Sequence, residues 1–489
     1  MKPTPTSNFN QALWLFISQC SSLVLVLGSA AFLSRYFDKT EYGTYKQIMY
    51  VFTTLQTVFS AGLPGIFAYF IPRLSSAQGK TLVNRFTLVL GLLGASFSIV
   101  LYFSSTFIAQ ILNNPELSTG LKIFSLVPLF TLPVMGVEGI YTALRKTKSL
   151  SIYLIICKLF NFIAVVVPVF LLKGSYKTAI IGWTVASFLI FIFTLWMKNR
   201  PYVTIKPELV PNMYKMVFNY SMPLMGASIV ALFLHSANQF FISRYYGTVV
   251  FAEFSNGFIP VPFVGMIAGS VRSVLMPLFS KANFDGNMEQ INITYKNAVS
   301  KMSIILLPLI FFCMFFARDI MIFIYGSQYA VSKTYFQISL CKDICDILPY
   351  IAIMLAFGKP KVYFYMHLSA ALFIWIVDAF IVHFHLHPVY IAVASSATQI
   401  LMVSFVYFYF NYFLKLKLIK LVIQKALIIS IHSSVLLTVI YMIRNVYLNN
   451  IDYKLSLIIC GFMFCAILIA TGKILKIHYL ESISNLIKK

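Results

Sequence analysis

The segment LWLFISQCSSLVLVLGSAAFL, residues 13–33, decides the fold class because it is uncharged and as long as a membrane span. A helix that crosses the hydrocarbon core needs about 20 predominantly apolar residues. The segment is longer than the apolar part of a secretory signal peptide, and no small-residue cleavage site follows it. We therefore predict that it is a retained transmembrane helix.

The composition of the whole chain agrees with this segment. The 489 residues are 60% hydrophobic and 11% charged, and the mean hydropathy is +0.84. Soluble domains carry roughly a quarter charged residues, so a soluble fold is excluded. The formal net charge is +24, but the basic residues lie between apolar runs. This pattern favours membrane topology and contact with anionic lipids over nucleic-acid binding.

Apolar runs separated by polar breaks predict an all-α integral membrane protein with about fourteen transmembrane helices. Every connection between them is short. Membrane glycan polymerases and ligases place their catalytic residues in long external loops, so this enzyme class is disfavoured. No Walker-type glycine-rich loop occurs, and we predict no cofactor and no metal site. The predicted helices are 11–34, 44–71, 82–112, 118–145, 149–172, 177–198, 213–243, 250–280, 296–325, 332–357, 361–384, 387–414, 420–444 and 452–473.

Basic residues fall unequally in alternate connections, and this asymmetry predicts the orientation in the membrane. The richer set follows the even-numbered helices and includes both chain ends, so both termini are predicted to be cytoplasmic. Such a topology requires an even number of spans, which fourteen satisfies. The richer set includes Lys2, Arg73, Lys80, Arg145, Lys146, Lys198, Arg200, Lys206, Lys296, Lys301, Lys417, Lys425, Lys476, Lys488 and Lys489, whereas the poorer set includes Arg35, Lys39, Lys46, Lys173, Arg244 and Arg444.

The chain also contains an internal repeat. SRYF at residues 34–37 recurs as SRYY at 243–246, and without a gap YGTY at 42–45 then aligns with FAEF at 251–254. The copies end helices that run in the same direction, so the repeats are parallel. We predict a six-helix lobe at 1–200, a second six-helix lobe at 201–415, and two additional transmembrane helices at 416–489.

These motifs resemble the polysaccharide-transport family, which contains O-antigen and capsule-repeat flippases. SRYF at 34–37 followed by EYGTY at 41–45 resembles the turn between helices 1 and 2 of that family. NYSMP at 219–223, which opens helix 7, and MP at 276–277, which closes helix 8, fit the same family. The resemblance spans roughly residues 10–415. The superfamily also holds multidrug antiporters and the peptidoglycan-precursor flippase.

The resemblance implies a V-shaped protein of two bundles that encloses a cavity open to one side of the membrane at a time. It implies a non-enzymatic flippase of the bacterial inner membrane that moves a polyprenyl-diphosphate-linked oligosaccharide to the external leaflet. Expected partners are this lipid-linked glycan, membrane lipids, and the glycan polymerase and chain-length machinery. Two alternatives on the same fold are a peptidoglycan-precursor flippase and an ion-coupled multidrug exporter, whose cavity would be acidic.

Basic residues inside the membrane are the first candidates for binding a diphosphate headgroup. A charged side chain is costly in the membrane, so its presence there usually indicates a function. Arg272 and Lys158 are the leading candidates for cavity contact, although Lys158 could instead pair with Glu138 on the preceding helix. Lys342 lies in predicted helix 10. Arg35 and Arg244 end helices 1 and 7, where anchoring at the headgroup level is the alternative role.

Predicted helix 10 has the densest polar stripe, and it provides most of the candidates for ion coupling. Lys342 and Asp346 are spaced to pair with each other, which leaves Asp343 as the less satisfied acid. Asp343 and Asp378, with Asp346 and Glu138, are therefore candidates for proton or cation coupling.

Predicted helix 7 carries a hydroxyl and amide stripe that includes His235 and Asn238. These side chains suit hydrogen bonding to sugar, or equally contacts between helices. The family often has an acid late in this helix, where this chain has Asn238, so the resemblance does not identify the coupling ion.

Overall fold

In the computed structural model, which describes residues 8–416, 418–448, 451–475, 477 and 479, every regular element is helical. The predicted all-α class is thereby confirmed. The first eleven α-helices are α1 Asn8–Tyr36, α2 Lys39–Phe59, α3 Pro64–Phe70, α4 Ser76–Ile111, α5 Glu116–Phe124, α6 Val127–Val134, α7 Val137–Ala143, α8 Thr147–Leu171, α9 Tyr176–Asn199, α10 Met213–Tyr245 and α11 Gly247–Gly257.

Nine further helices follow: α12 Pro262–Phe284, α13 Met288–Phe315, α14 Ala317–Tyr325, α15 Lys333–Asp346, α16 Tyr350–Ala356, α17 Pro360–His383, α18 Val389–Phe413, α19 Leu418–Tyr447 and α20 Tyr453–Ile474. Within the predicted C-terminal pair, residues 417, 449–450, 476, 478 and 480–489 lie outside the described residues. So do Lys2 and both chain ends, on which the predicted orientation partly depends.

The predicted count of fourteen spans is approximate. Among the described residues, eleven helices are long and apolar enough to cross a membrane, and up to thirteen spans result if two bent pairs each count as one. The bends measure 45° between Lys39–Phe59 and Pro64–Arg73, and 47° between Glu116–Phe124 and Val127–Ala143. The remaining difference is predicted helix 10, which divides at Pro349 into α15 and α16.

The backbone at the first bend explains why one apolar run becomes two helices. Ala61 (φ 48°) and Gly62 (φ 68°) adopt the left-handed region between α2 and α3. Gly136 (φ 83°) does so at a further break, between α6 and α7. Glycine occupies this region without steric penalty, so it ends a helix without ending the span.

Helix α4 shows the surface expected of a membrane span. Its inner face packs Phe86, Leu90 and Phe97, which have no exposed surface, whereas Phe103 on the outer face is 78% exposed. A soluble helix would carry polar residues on that outer face. The apolar exterior instead matches lipid, and the protein is a multi-pass membrane protein.

The chain forms two compact units, Met1–Ala252 and Glu253–Lys489. The first unit includes α10, because this helix packs on α2 and α3. The predicted lobes at 1–200 and 201–415 and their V-shaped arrangement stay predictions.

In the second unit, an ion pair attaches the C-terminal helices. Arg444 Nη1 on α19 lies 2.6 Å from Asp319 Oδ2 on α14, and its Nε donates to Ser456 Oγ on α20 at 3.1 Å. Both charged side chains are largely buried. This arginine, predicted in an external connection, therefore joins three helices.

Candidate functional site

A cavity of about 480 Å³ lies within the first unit. Helices α1, α2, α6, α7, α8 and α9 form its wall. Aromatic rings contribute much of the lining, among them Tyr45, Phe130, Tyr153 and Trp183, and Ser29 and Asn161 add hydrogen-bonding groups. A cavity with aromatic and polar walls can hold a sugar-sized ligand.

Three charged side chains line this cavity: Lys46, Glu138 and Lys158. The structure therefore brings together two residues that the sequence singled out, Lys158 on α8 and Glu138 on α7. Although both residues are within the described part of the chain, no ion pair joins them there. The lining carries one more positive charge than negative charge.

Lys46 is the cavity residue that the sequence reasoning missed. It was assigned to an external connection, but α2 begins at Lys39, which places Lys46 two turns inside the helix. Its ammonium lies 5.3 Å from the centre of the Tyr42 ring, one helical turn earlier. The available signal was the position of Lys46 directly after the EYGTY motif, with an aromatic residue at i−4.

A second lysine was also assigned to the wrong environment. Lys198 was counted in a cytoplasmic connection, but it lies in α9 and is 1% exposed. Its Nζ donates to the carbonyl oxygens of Pro133 (2.7 Å) and Met135 (2.6 Å) and to Thr87 Oγ1 (3.3 Å). These carbonyls end α6, so the lysine stabilises the bend before α7 and contacts its helix dipole.

In the second unit, α15 packs its polar stripe against a break in the neighbouring backbone. Predicted helix 8 divides between Gly257 and Pro262, because Pro260 and Pro262 lack amide hydrogens. Ser339 Oγ donates to the Ile259 carbonyl at 2.8 Å, and the Val261 amide donates to Asp343 Oδ2 at 2.8 Å. Asp343, expected to be the less satisfied acid, therefore accepts a backbone hydrogen bond.

Lys342, Asp346 and Arg272 form a charged group near this break. The Lys342 ammonium lies 4.8 Å from the centre of the Phe258 ring. The charge of Arg272 on α12 acts on Asp346 and on two tyrosines, Tyr350 and Tyr363. The charges of Arg272 and Lys342 thus both act on Asp346, which the sequence assigned to Lys342 alone.

Asp378 on α17 is the most isolated of the candidate acids. It is 0% exposed, and neither carboxylate oxygen has a hydrogen-bond partner among the residues that the structure describes. An ionised carboxylate in such a place is costly, so the group is stable when it is protonated or binds a cation.

The remaining candidates lie at the ends of α1 and α10. Arg244 donates to the carbonyl oxygen of Ile111 at 2.6 Å. Asn238 is 3% exposed, and within the described chain its Oδ1 has no hydrogen-bond partner. Arg35 and His235 are exposed, and each takes part in a polar, ring or electrostatic interaction with other residues.

Comparison with known families identifies the family of this chain. The polysaccharide biosynthesis protein family matches residues 32–334, well over half of the chain. The chain belongs to this family. The resemblance to polysaccharide-transport proteins that the SRYF and EYGTY motifs indicated is thereby confirmed. No curated protein sequence matches the chain significantly.

Solved structures share the fold of this polysaccharide biosynthesis protein. The lipid II flippase MurJ in an inward closed conformation aligns with a TM-score of 0.69 at 17% identity, over 95% of this chain and 99% of that chain. An inward-facing multidrug resistance MATE family transporter of the MOP superfamily aligns at 0.61 and 12%, over 81% and 96%. VcmN, a MATE transporter of Vibrio cholerae, aligns at 0.56 and 13%, over 85% and 97%. These identities show the fold alone, which is that of membrane transporters.

Proposed function

We propose that this protein is a flippase of the bacterial inner membrane, and not an enzyme. It moves a polyprenyl-diphosphate-linked oligosaccharide, a repeat unit of O-antigen, capsule or exopolysaccharide, from the cytoplasmic to the external leaflet by alternating access. Both termini are cytoplasmic in this proposal. The observation that carries it is a cation-lined cavity in a member of the polysaccharide biosynthesis protein family.

The charges of the cavity favour this cargo over a cationic drug. A diphosphate carries two or more negative charges, and hydrocarbon offers no compensation for them. Lys46 and Lys158 supply that compensation, and the aromatic rings offer surfaces on which sugars pack. An exporter of cationic compounds would need an acidic cavity, whereas Glu138 is outnumbered here.

The peptidoglycan-precursor flippase remains the second candidate, because its lipid cargo has the same diphosphate. The fold of the lipid II flippase aligns with nearly the whole of this chain, and this observation supports the second candidate. Cells that lack the protein distinguish the two: loss of long surface glycan in otherwise viable cells supports a repeat-unit flippase, whereas arrest of cell-wall synthesis supports the precursor flippase.

Substitution of the two cavity lysines tests the binding role. In cells lacking the chromosomal copy, Lys46→Ala and Lys158→Ala should each reduce surface-glycan export about tenfold or more, because a charge-assisted contact with the headgroup contributes about 1.5–3 kcal/mol. Lys122→Ala, on the exposed face of α5, is the matched control and should export normally. Normal export by both cavity variants at equal protein levels would contradict the assignment.

Asp378 is the residue that we assign to coupling with a proton or sodium gradient. Its isolation makes its charge depend on a bound proton or cation, and transport driven by such a gradient needs one exchangeable site. In Asp378→Asn, glycan export should be slow and should no longer respond to collapse of the proton gradient or removal of sodium.

The exposed Asp285 provides the control for this test, since Asp285→Asn removes a carboxylate of the same unit without touching the buried site. Export by this control should keep its gradient dependence. If Asp378→Asn exports at the normal rate with normal gradient dependence, coupling lies elsewhere, and Asp343, Asp346 and Glu138 remain as candidates.

A further inference from the structure

A buried polar cluster joins the end of α10 to α2 in the first unit. Gln47 Nε2 donates to Ser243 Oγ at 2.8 Å, and Asn114 Nδ2 donates to Gln47 Oε1 at 2.6 Å and to Thr44 Oγ1 at 3.0 Å. All four side chains are at most 6% exposed. We call this group, Thr44, Gln47, Asn114 and Ser243, the polar clasp.

Two contacts beside the polar clasp hold the end of α10 and the start of α11 close to α4 and α2. We call this contact region the seam. Arg244, next to Ser243, donates to the last carbonyl of α4, Ile111, at 2.6 Å. A Cβ atom on Gly43 would lie 2.2 Å from the carbonyl oxygen of Thr248, so only glycine permits this approach of α2 to the start of α11. The seam therefore combines hydrogen bonds and close backbone contact with apolar packing, such as Tyr50 of α2 against Phe251 of α11 with ring centres 6.0 Å apart.

The opposite end of α10 is attached by different chemistry. Tyr220 stacks on Tyr69 of α3 with ring centres 4.1 Å apart, and it meets Phe70 edge-on at 5.4 Å. Stacked and edge-on aromatic pairs contribute stability beyond the burial of their surface. Between the two ends, the left-handed Gly62 lies against the backbone of Ser221 and Met225, and Pro223 interrupts the hydrogen bonds of α10 at the same level.

We propose that the polar clasp is a releasable closure, and that α10 swings at Gly62 and Pro223 while Tyr220 stays on Tyr69. Hydrogen bonds between uncharged side chains can be exchanged for bonds to water at little net cost, whereas separating stacked rings exposes apolar surface. Pro223 in α10 and Gly62 between α2 and α3 lie at the same level, so both segments can bend there. This inference rests on the transport cycle proposed above, in which one end of the protein must open.

The internal repeat has similar residue types at two positions of the polar clasp, whereas Thr44 aligns with Glu253. Ser34 is the repeat counterpart of Ser243, and Asn256 is the counterpart of Gln47 at the same gapless offset. Both are completely buried. A serine and a carboxamide thus recur at equivalent positions of the two copies.

Labelling of introduced cysteines tests the release. The full-length protein in lipid nanodiscs, where both faces meet solvent, is treated with a water-soluble maleimide, and modification at each cysteine is followed by peptide mass spectrometry. Ser243→Cys is nearly isosteric and buried. Ser221→Cys, 1% exposed and on the Tyr220 side of Pro223, is the matched control, and the fully buried native Cys460 is the internal reference.

Ser243→Cys should be modified faster than Ser221→Cys and Cys460. Adding Gln47→Ala removes a hydrogen bond that closes the seam and should raise that rate about fivefold. If Ser243→Cys reacts as slowly as Cys460, with and without Gln47→Ala, the cluster is static packing and the proposal is wrong. Faster modification of Ser221→Cys than of Ser243→Cys would also overturn it, since the opposite end would then open.

A crosslink separates this proposal from the proposed function. A short bis-maleimide that joins Gln47→Cys to Ser243→Cys should abolish glycan export, and full export by the crosslinked protein would contradict the clasp. Opening measured in nanodiscs does not involve the glycan, so a protein that opens but exports no glycan would support the clasp and contradict the flippase.

Discussion

Single residues decide what this cavity can bind, and they are the level at which the sequence was least informative. Composition and hydropathy identified Lys158 and Glu138 as residues within the membrane. They could not place Lys46 or Lys198, because the depth of a lysine depends on where its helix begins and which carbonyls it meets. Lys46 lies inside the helix that Asp38 caps, since the Asp38 carboxylate accepts from the amides of Thr40 and Glu41.

The three hydrogen bonds of Lys198 predict a specific loss of stability. Lys198→Met should lower the melting temperature of the detergent-solubilised protein by several degrees, because the Pro133 and Met135 carbonyls lose a partner at about 1–3 kcal/mol for an unsatisfied buried group. Lys206→Met, at an exposed position in the next connection, is the control and should melt as the unmodified protein does. Equal melting temperatures for the two variants would contradict the role of Lys198 at the bend.

At the scale of elements, apolar runs correctly predicted where helices lie, and they failed where a span is broken. Hydropathy averages over a window, so it does not register two residues with left-handed backbone such as Ala61 and Gly62. The polar stripe of predicted helix 10 was visible, but its partner was not. That partner is the backbone between α11 and α12, where the Ile259 carbonyl and the Val261 amide bond to α15 only in the folded chain.

The hydrogen bond from the Val261 amide to Asp343 makes it possible to distinguish a structural role of Asp343 from a role in ion coupling. Asp343→Asn retains an acceptor for that amide and should preserve both the melting temperature and glycan export, whereas Asp343→Leu leaves the amide unsatisfied and should destabilise the protein by about 1–3 kcal/mol. Thermal melts in detergent and export in cells provide the two readouts. Loss of export in Asp343→Asn with an unchanged melting temperature would instead make Asp343 the coupling acid.

For the whole molecule, the sequence was sufficient to predict the class of protein. Composition predicted a multi-pass membrane protein, and the resemblance of the SRYF and EYGTY motifs predicted a member of the polysaccharide-transport family. The family match over residues 32–334 agrees. The site was less predictable than the class, because two compact units assemble their cavities from helices far apart in sequence. The wall around Lys46 and Lys158 draws on helices from α1 to α9.

Transbilayer movement of the lipid is the most direct test of the central claim. Lipid-linked repeat units extracted from cells lacking this protein are placed in both leaflets of vesicles, and a membrane-impermeant glycosidase reports the share that becomes accessible outside. With the purified protein and an imposed proton or sodium gradient, nearly all of the lipid should become accessible, and the Lys46→Ala/Lys158→Ala variant should be much slower. An accessible share that stays equal to that of protein-free vesicles would contradict the proposal that this protein is a flippase.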